Sequence, residues 1–538
     1  VTDAVSPLAP FRNRLYLAYW LTGLMANFGW LIQMVGASWL MTSIGGSPEM
    51  VALVQTSVAL PTMLFSLAAG AMADNFGRRT MILVSQSFLL VISSVLAFLS
   101  WAGWVNPWML LCFTFLIGSG KALNNPAWQT YVTEFMPRED LPEAIAANSV
   151  GFNLARSVGP AIGGAIVASV GAFAAFAVNA VSNIGMIVVM LGRGTTASAS
   201  DLPPERVGSA MLAGIRYVAM SPHLLVVMVR GAVFNFAAIS VMALLPLVAR
   251  DLVEGGPRTY GILLGGFGVG AVIGALAGAR LRHMMSLEWL VRTGFLAFAV
   301  AVAVIATSSV APLSILASAC AGASWLLTLS TFNTTVQMTS PRWVVSRAHA
   351  LYQAASFGGN ALGSWVWGML AASYGIPTSL LAAAAVLVFG AGLGLGLRLR
   401  ELGPLGLDPS GRWVAPRGAA DLRPRSGPIL TSIEYRIAPE DIDAFLRIMA
   451  ERRRSRARDG ARAWSLARDM DDSEIWTERY QTPTWLDTQR FHSRRTQADA
   501  ELSDRLKALH GGQAPTIRHE IERQPGRPAP DWTGLADH

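Results

Sequence analysis

Lysine is almost missing from this chain: among its 42 basic residues only Lys121 and Lys507 are not arginine. Charge of either sign is scarce as well, at 14% of residues, where soluble domains carry about 25%. Most of the chain is therefore suited to lipid. Cysteine is limited to Cys112 and Cys320, both inside apolar segments, which argues against a disulfide framework. No cleavable leader is expected, because the first apolar run, 15–40, is too long for a signal core and lacks a small-residue cleavage site. No carboxylate lies near the middle of any apolar segment, which argues against a central acidic proton relay. The glycine-rich run at 265–270, GGFGVG, has no strand before it and no βαβ unit around it, so it is not a nucleotide loop. Nothing in the pattern asks for a metal or a cofactor.

What is present is apolar length. Twelve segments of about 20 residues or more can be drawn at 14–40, 50–73, 80–101, 106–128, 143–169, 172–192, 223–249, 258–280, 287–309, 312–336, 347–372 and 377–398. Arginines choose the orientation: Arg12, Arg14, Arg78, Arg79, Arg138, Arg193, Arg206, Arg216, Arg280, Arg282, Arg342, Arg347, Arg398 and Arg400 fall on one set of loops, and only Arg250 and Arg258 on the other. Both termini are expected in the cytoplasm, with the chain multi-pass in a bacterial inner membrane. Residues 1–400 carry a net charge of +8 and residues 401–538 a net charge of zero, so the basic balance belongs to the membrane part and needs no nucleic-acid partner.

An internal repeat accompanies this drawing. Gly23-x-x-x-Asn27-Phe28 recurs as Gly231-x-x-x-Asn235-Phe236, and Cys112, Asn125 and Gln129 recur 208 positions later as Cys320, Asn333 and Gln337. Two parallel six-helix halves, 11–192 and 223–400, follow, with the substrate expected at the midplane between them. The joining segment 193–222 opens as a flexible linker and continues as a short helix, because Val207, Met211, Ile215 and Val218 fall at helical spacing. Residues 401–428 are rich in Gly, Pro and Arg and read as a second linker. Residues 429–525 have a soluble α+β pattern in the order βαββαβ, which is ferredoxin-like and suggests dimerisation through the tail. The helices there are expected at 439–458 and 483–509.

The turn between the second and third segments, Gly70-x-x-x-Asp74-x-x-Gly77-Arg78-Arg79, combines a reversal at Gly77 with arginines on the cytoplasmic side. The fifth segment carries Gly159-Pro160-Ala161-Ile162-Gly163-Gly164, and Gly151, Ala155, Gly159 and Gly163 make a smooth stripe for close approach to a neighbouring helix. Gly266, Gly270, Gly274 and Gly278 repeat that device in the eighth. Ionisable residues inside segments are functional candidates because an unpaired one is costly. Lys121, followed by Asn124 and Asn125, has Leu329 at its repeat-related position, and such asymmetry points to substrate or coupling. Arg156 has two readings, functional or paired with a neighbouring helix. Arg230 lies about two turns from the cytoplasmic end, within reach of snorkelling. Asn27, Gln33 and Asn235 either line a polar cavity or bond between helices. Asp74 and Glu134 are the remaining acidic candidates for coupling.

The 70–83 turn resembles the signature loop between helices two and three of the major facilitator superfamily. The Gly-Pro-x-x-Gly-Gly run resembles the motif of its exporters that exchange substrate for protons. Gly29-Trp30-Leu31-Ile32-Gln33, Asn124-Asn125-Pro126-Ala127-Trp128-Gln129 and Asn153-Leu154-Ala155-Arg156 are similar to the branch holding the enterobactin exporter and the transmembrane secretion effectors. That resemblance implies a proton-driven antiporter exporting a siderophore-like or other secondary metabolite by alternating access, while the cations Lys121, Arg156 and Arg230 without a buried anion argue against a cationic drug and for an anionic or acyl-aromatic metabolite. The tail is similar to antibiotic-biosynthesis-monooxygenase-like domains, with Trp476, Trp485 and His492 at matching places. The alternative is thus a membrane-tethered protein whose tail is an enzyme or a regulator, although enzymatic activity is not the expectation.

Overall fold

The structure, a computed structural model, describes residues 9–137, 140–192, 207–341, 343–399, 406–408, 410–413, 423–511 and 514–522. Arg138, Arg193, Arg206, Arg342 and Arg400 lie outside the described residues, as does most of the linker after 400. Gly70 and Asp74 belong to a helix, but their surroundings are outside the description.

Long helices dominate. They are α1 (Arg14–Ser43), α2 (Pro48–Phe76), α3 (Arg78–Trp101), α4 (Pro107–Tyr131), α5 (Leu141–Ser169), α6 (Ala172–Leu191), the short α7 (Val207–Ala219), α8 (Pro222–Leu247), α9 (Pro257–Met284), α10 (Leu287–Thr307), α11 (Ala311–Met338), α12 (Val345–Tyr374) and α13 (Ile376–Leu393). Among the described residues ten helices are long and apolar enough to cross a membrane. α4, with Lys121, Asn124 and Asn125, and α12, with Arg347, His349 and Asn360, occupy two further positions drawn as spans but are not among the ten. Helix is the answer to an apolar run in lipid because it satisfies every backbone group within the segment. The starts are written locally. Asn13 caps α1 by accepting from Leu15 N at 2.9 Å, while Ser47-Pro48 and Asn106-Pro107 open α2 and α4 with a capping side chain and a proline in the first turn. The reversal between α2 and α3 takes a single residue, Gly77, at φ 82°, a conformation that a side chain disfavours.

The chain divides into two compact units. The first holds 1–211, 222–338 and 346–402. Its core is made where α1 packs on α5 and α6, α3 on α4 and α6, α2 on α4, α9 on α5 and α11, and α10 on α11 and α13. The stripe of α5 meets α1: a methyl at Gly151 would touch Trp20, one at Gly159 would stand 3.2 Å from Leu31 Cβ, and one at Gly163 would stand 3.1 Å from Ile32 Cα.

The second unit holds 403–538 together with 212–221 and 339–345. Its sheet is antiparallel throughout in the order β2-β3-β1-β4, with β1 (Ile429–Arg436), β2 (Arg462–Arg468), β3 (Ile475–Thr482) and β4 (Thr516–Ile521). The helices are α14 (Ile442–Asp459), α15 (Trp485–Ser493) and α16 (Gln497–Ala508). The single helix expected over 483–509 is two, because Thr496 and Asp499 form a reciprocal capping box that restarts the chain at Gln497. Alternate β1 side chains are buried, and Ile433, Tyr435 and Ile437 join Phe445, Met449, Tyr480, Phe491 and Leu506 in the core. The C-terminal half of α7 belongs here: Tyr217 packs edge-on against Trp343 at 5.4 Å, the Arg458 guanidinium lies 5.1 Å over Tyr217, and Arg494 lies 4.5 Å over Trp343.

Candidate functional site

The turn after α2 engages the ends of neighbouring helices. Arg78 Nη1 donates to Thr133 Oγ1 at 3.2 Å and pairs with Glu134 at 3.5 Å, while Arg79 Nε donates to Met190 O at 2.8 Å. The second contact places a cation on a terminal carbonyl of α6, where the helix dipole favours it. The pairing brings Arg78 and Glu134 together, while Arg79 goes to the end of α6.

Deeper in the unit, Lys121 extends from α4 towards α1. Its Nζ donates to Asn27 Oδ1 at 3.4 Å and stands 5.5 Å from the centre of the Trp30 ring. Among the described residues no carboxylate lies within ion-pair distance of Lys121 or of Arg156. Arg156 instead stacks on Trp325 of α11 at 3.9 Å, in the geometry of a cation–π contact. Asn124 is buried and accepts from Gln86 at 3.4 Å, whereas Asn125 is exposed. Gln33 is in a buried network: Asn179 donates to it, Ser93 Oγ donates to it at 3.4 Å, and Asn179 also reaches Ser93 Oγ at 2.9 Å. Asn235 bonds locally to Gly231 O at 2.8 Å. Arg230 is fully buried, and its Nη1 meets Glu288 Oε2 at 2.5 Å. Lys121 and Asn27 are thus brought together; Gln33, Arg230 and Asn235 each sit in a separate network.

The Gly-Pro run faces two helices. Gly159 and Gly163 abut α1, but a methyl at Gly164 would stand 2.7 Å from Pro257 O and 2.8 Å from Gly261 Cα of α9. Ser157 Oγ donates to Gly268 O at 3.2 Å on the same line of contact. Pro160 lies within α5, and its carbonyl oxygen is 2.9 Å from where a methyl at Gly261 would lie. α2 meets α12 in a similar way, with Thr56 Oγ1 donating to Ala361 O at 3.0 Å and a methyl at Gly368 falling 3.1 Å from Glu49 Cα. Arg250 Nη1 donates to Thr42 O at 3.1 Å. These approaches lie from the helix middles towards the ends opposite the 70–83 turn.

The sequence shows Trp30 only as part of a family-like run and gives no site role to it or to Ser93, Asn179, Glu288 and Trp325. Asn179 and Asn183, four apart in an otherwise apolar span, are a legible signal. Trp325 has none, since an aromatic residue in a span is ordinary.

The family described as "Transmembrane secretion effector" matches residues 5–526. The multidrug efflux pump Tap of Mycolicibacterium fortuitum is 26% identical over 390 residues, 70% of this chain and 95% of that protein. The staphyloferrin A transporter of Staphylococcus aureus is 24% identical over 46% of this chain and 62% of its own length. In structure, a bacterial homologue of the human lysosomal transporter Spinster, solved inward-facing and unoccupied, aligns at TM-score 0.60 with 16% identity, over 73% of this chain and 99% of that one, a likeness of fold alone. The family and these relatives are transporters, and the helices long enough to span, the intramembrane cations and the glycine-lined helix contacts agree with that assignment. This chain is a multi-pass membrane protein that belongs to the transmembrane secretion effector family of major-facilitator transporters.

Proposed function

We propose that this transporter has twelve spans in two six-helix repeats, both termini in the cytoplasm, and exports a small organic molecule bearing an anionic group by alternating access in exchange for protons. The observation that carries the substrate class is Lys121, a cation inside α4 that faces Asn27 and Trp30 with no carboxylate partner among the described residues. A negatively charged group from the substrate supplies the missing counter-charge, Asn27 orients the ammonium, and Trp30 offers an apolar face to an aromatic substrate. Asn124 and Asn125 lie on the same helix and Gln33, Arg230 and Asn235 on α1 and α8; in this reading they shape the polar interior around the substrate. Arg156, stacked on Trp325, links the two halves at the level where the Gly159, Pro160, Gly163 and Gly164 run lets α5 approach α1 and α9. Gly70, Asp74, Gly77, Arg78, Arg79 and Glu134 act as the cytoplasmic latch, and Asp74 and Glu134 as its titrating groups. The close approaches opposite that latch support a state open to the cytoplasm, as in the inward-facing Spinster homologue. A staphyloferrin transporter among the relatives supports a siderophore-like anion as substrate. The strand order of the tail supports a ferredoxin-like domain there, capable of dimerising.

The test is movement of a catechol carboxylate and of a lipophilic phosphonium cation in proteoliposomes under an imposed pH gradient. The anion is expected to move with the gradient, and Asp74→Asn to reduce its movement. Lys121→Ala is expected to weaken anion binding about tenfold, the scale of one charge-assisted hydrogen bond, while leaving the melting temperature unchanged. Preference for the cation, or wild-type affinity in Lys121→Ala, removes the anionic substrate from the reading. Removing residues 401–538 is expected to leave efflux in place; its complete loss in a folded, inserted protein would favour the tethered alternative.

A further inference from the structure

The tail contains a cavity of about 540 Å³, within the range that holds a drug-sized molecule. β1, β3 and β4 supply one wall through Tyr435, Tyr480 and His519, and α14 supplies Arg452 and Arg456. Two features of this lining are not explained by the fold.

The first is charge. Arg412, Arg452, Arg456, Arg495 and Lys507 border the cavity with Asp504 as the one carboxylate among its described lining residues. Asp504 is taken at the rim by Arg412 at 2.7 Å, with Lys507 at 3.9 Å. Behind the wall Arg452 and Arg456, both nearly buried, share one fully buried carboxylate, Glu478, at 2.8 and 3.2 Å. Burial alone would raise the Glu478 pKa, but the Arg456 and Arg452 charges hold it down to about 2, so it stays ionised. The nearby Asp459 and Asp499 both pair with Arg458. Arg495 makes no ion pair among the described residues: it donates to Ser503 Oγ at 2.7 Å, the same oxygen that Arg452 reaches at 3.0 Å, and the Arg456, Arg452 and Asp499 charges act on it from beyond ion-pair distance. Positive charge is therefore gathered in a half-dry site in excess of its counter-charge.

The second is His492. It is 93% buried, lines the cavity and stacks flat on Trp413, with centroids 4.6 Å apart and planes at 6°. Neither ring nitrogen has a hydrogen-bond partner among the described residues. Burial first, then the Arg456 and Arg495 charges, push its pKa down to about 2, so the ring is neutral and offers one N–H donor and one bare acceptor. Buried polar atoms are nearly always satisfied, so a donor and an acceptor left open in a cavity wall mark the place of a ligand group.

We propose that this cavity is a second small-molecule site, separate from the transport path, that takes a planar hydroxylated aromatic acid: its carboxylate meets Arg495 and Arg456, its ring lies among Tyr435, Tyr480 and Trp413, and its hydroxyl bonds His492. The proposal stands independently of the substrate assigned to the membrane unit.

The experiment uses the full chain in lipid nanodiscs and the fluorescent probe 3-hydroxy-2-naphthoate, with binding read as anisotropy. In the Lys121→Ala background, where the transport site is weakened, saturable binding is expected to persist and to fall at least tenfold when Arg495→Gln or His492→Phe is added. Arg495→Gln breaks no ion pair among the described residues, and circular dichroism verifies that each variant is folded, so one folded variant suffices. No saturable binding, wild-type affinity in a folded tail variant, equal binding of 2-naphthylmethylamine, or loss of binding in Lys121→Ala overturns the proposal. The last result assigns the probe to the transport site. Anion efflux that persists in the tail variants keeps the fate of the two readings distinct.

Discussion

Glu288→Gln is expected to destabilise the membrane unit by about 3–5 kcal/mol, the cost of leaving a buried charge without its partner. Arg230 is completely buried in α8, and its Nη1 donates to Glu288 Oε2 at 2.5 Å and to Leu397 O at 3.2 Å. Its Nε and Nη2 have no partner among the described residues, so no second contact there shares the load. Glu288 is a junction: it also accepts from Arg292 Nε at 2.7 Å, one turn along α10, and from Leu399 N at 2.9 Å beyond α13. One carboxylate thus ties α8, α10 and the segment after α13, and a neutral amide can satisfy only part of that demand. Thermal unfolding in detergent reads the loss. The double variant Arg230→Met with Glu288→Gln is expected to recover most of it, because removing both charges also removes the cost of burying them. A single variant that melts with the wild type would show that the Arg230 charge is met elsewhere.

Gly270→Ala is expected to be nearly as damaging, through shape alone. A methyl there would overlap the Ala319 carbonyl oxygen and stand 2.7 Å from Ala319 Cα, and one at Gly274 would overlap the Ala323 oxygen one turn further along. The contact is reciprocal, since a methyl at Gly322 would strike Phe267 O. α9 and α11 therefore touch backbone to backbone, and neither side has a flexible side chain that could yield. In lipid, helices are held together by this close packing rather than by a hydrophobic drive, so prising them apart loses the contact itself. The cost is about 1–3 kcal/mol or more, with loss of efflux, because α9 also carries the approach to α5 at Gly261 and Gly268. Gly392→Ala is the control: nothing lies within 4 Å of the added methyl, and its effect is expected to stay within about 0.5 kcal/mol. Equal melting temperatures for the two variants would refute the close-packing account.

Both predictions rest on partners far apart in the chain, and this separates what was legible from what was not. The positions of the helices could be read from the residues, because about 20 apolar residues in a bilayer can satisfy their backbone only as a helix. So could the one-residue reversal at Gly77, observed at φ 82°, and the strands of the tail from their alternation. Even the sign that the last long helix is two was there, since Thr496 and Asp499 stand at capping-box spacing. Which polar groups meet depended instead on how the helices pack. Arg230, near enough to a helix end to snorkel, is paired with Glu288, 58 residues away. Arg156 rests on Trp325, Lys121 on Asn27 and Trp30, and the second half of α7 joins the tail through Tyr217 and Trp343. The cavity at His492 is assembled from three strands, three helices and Trp413. The difference lies in the range of the interactions involved. Periodicity and capping act over three or four residues, whereas a partner across helices depends on the rotation and neighbours of each helix, which the packing of the whole unit sets.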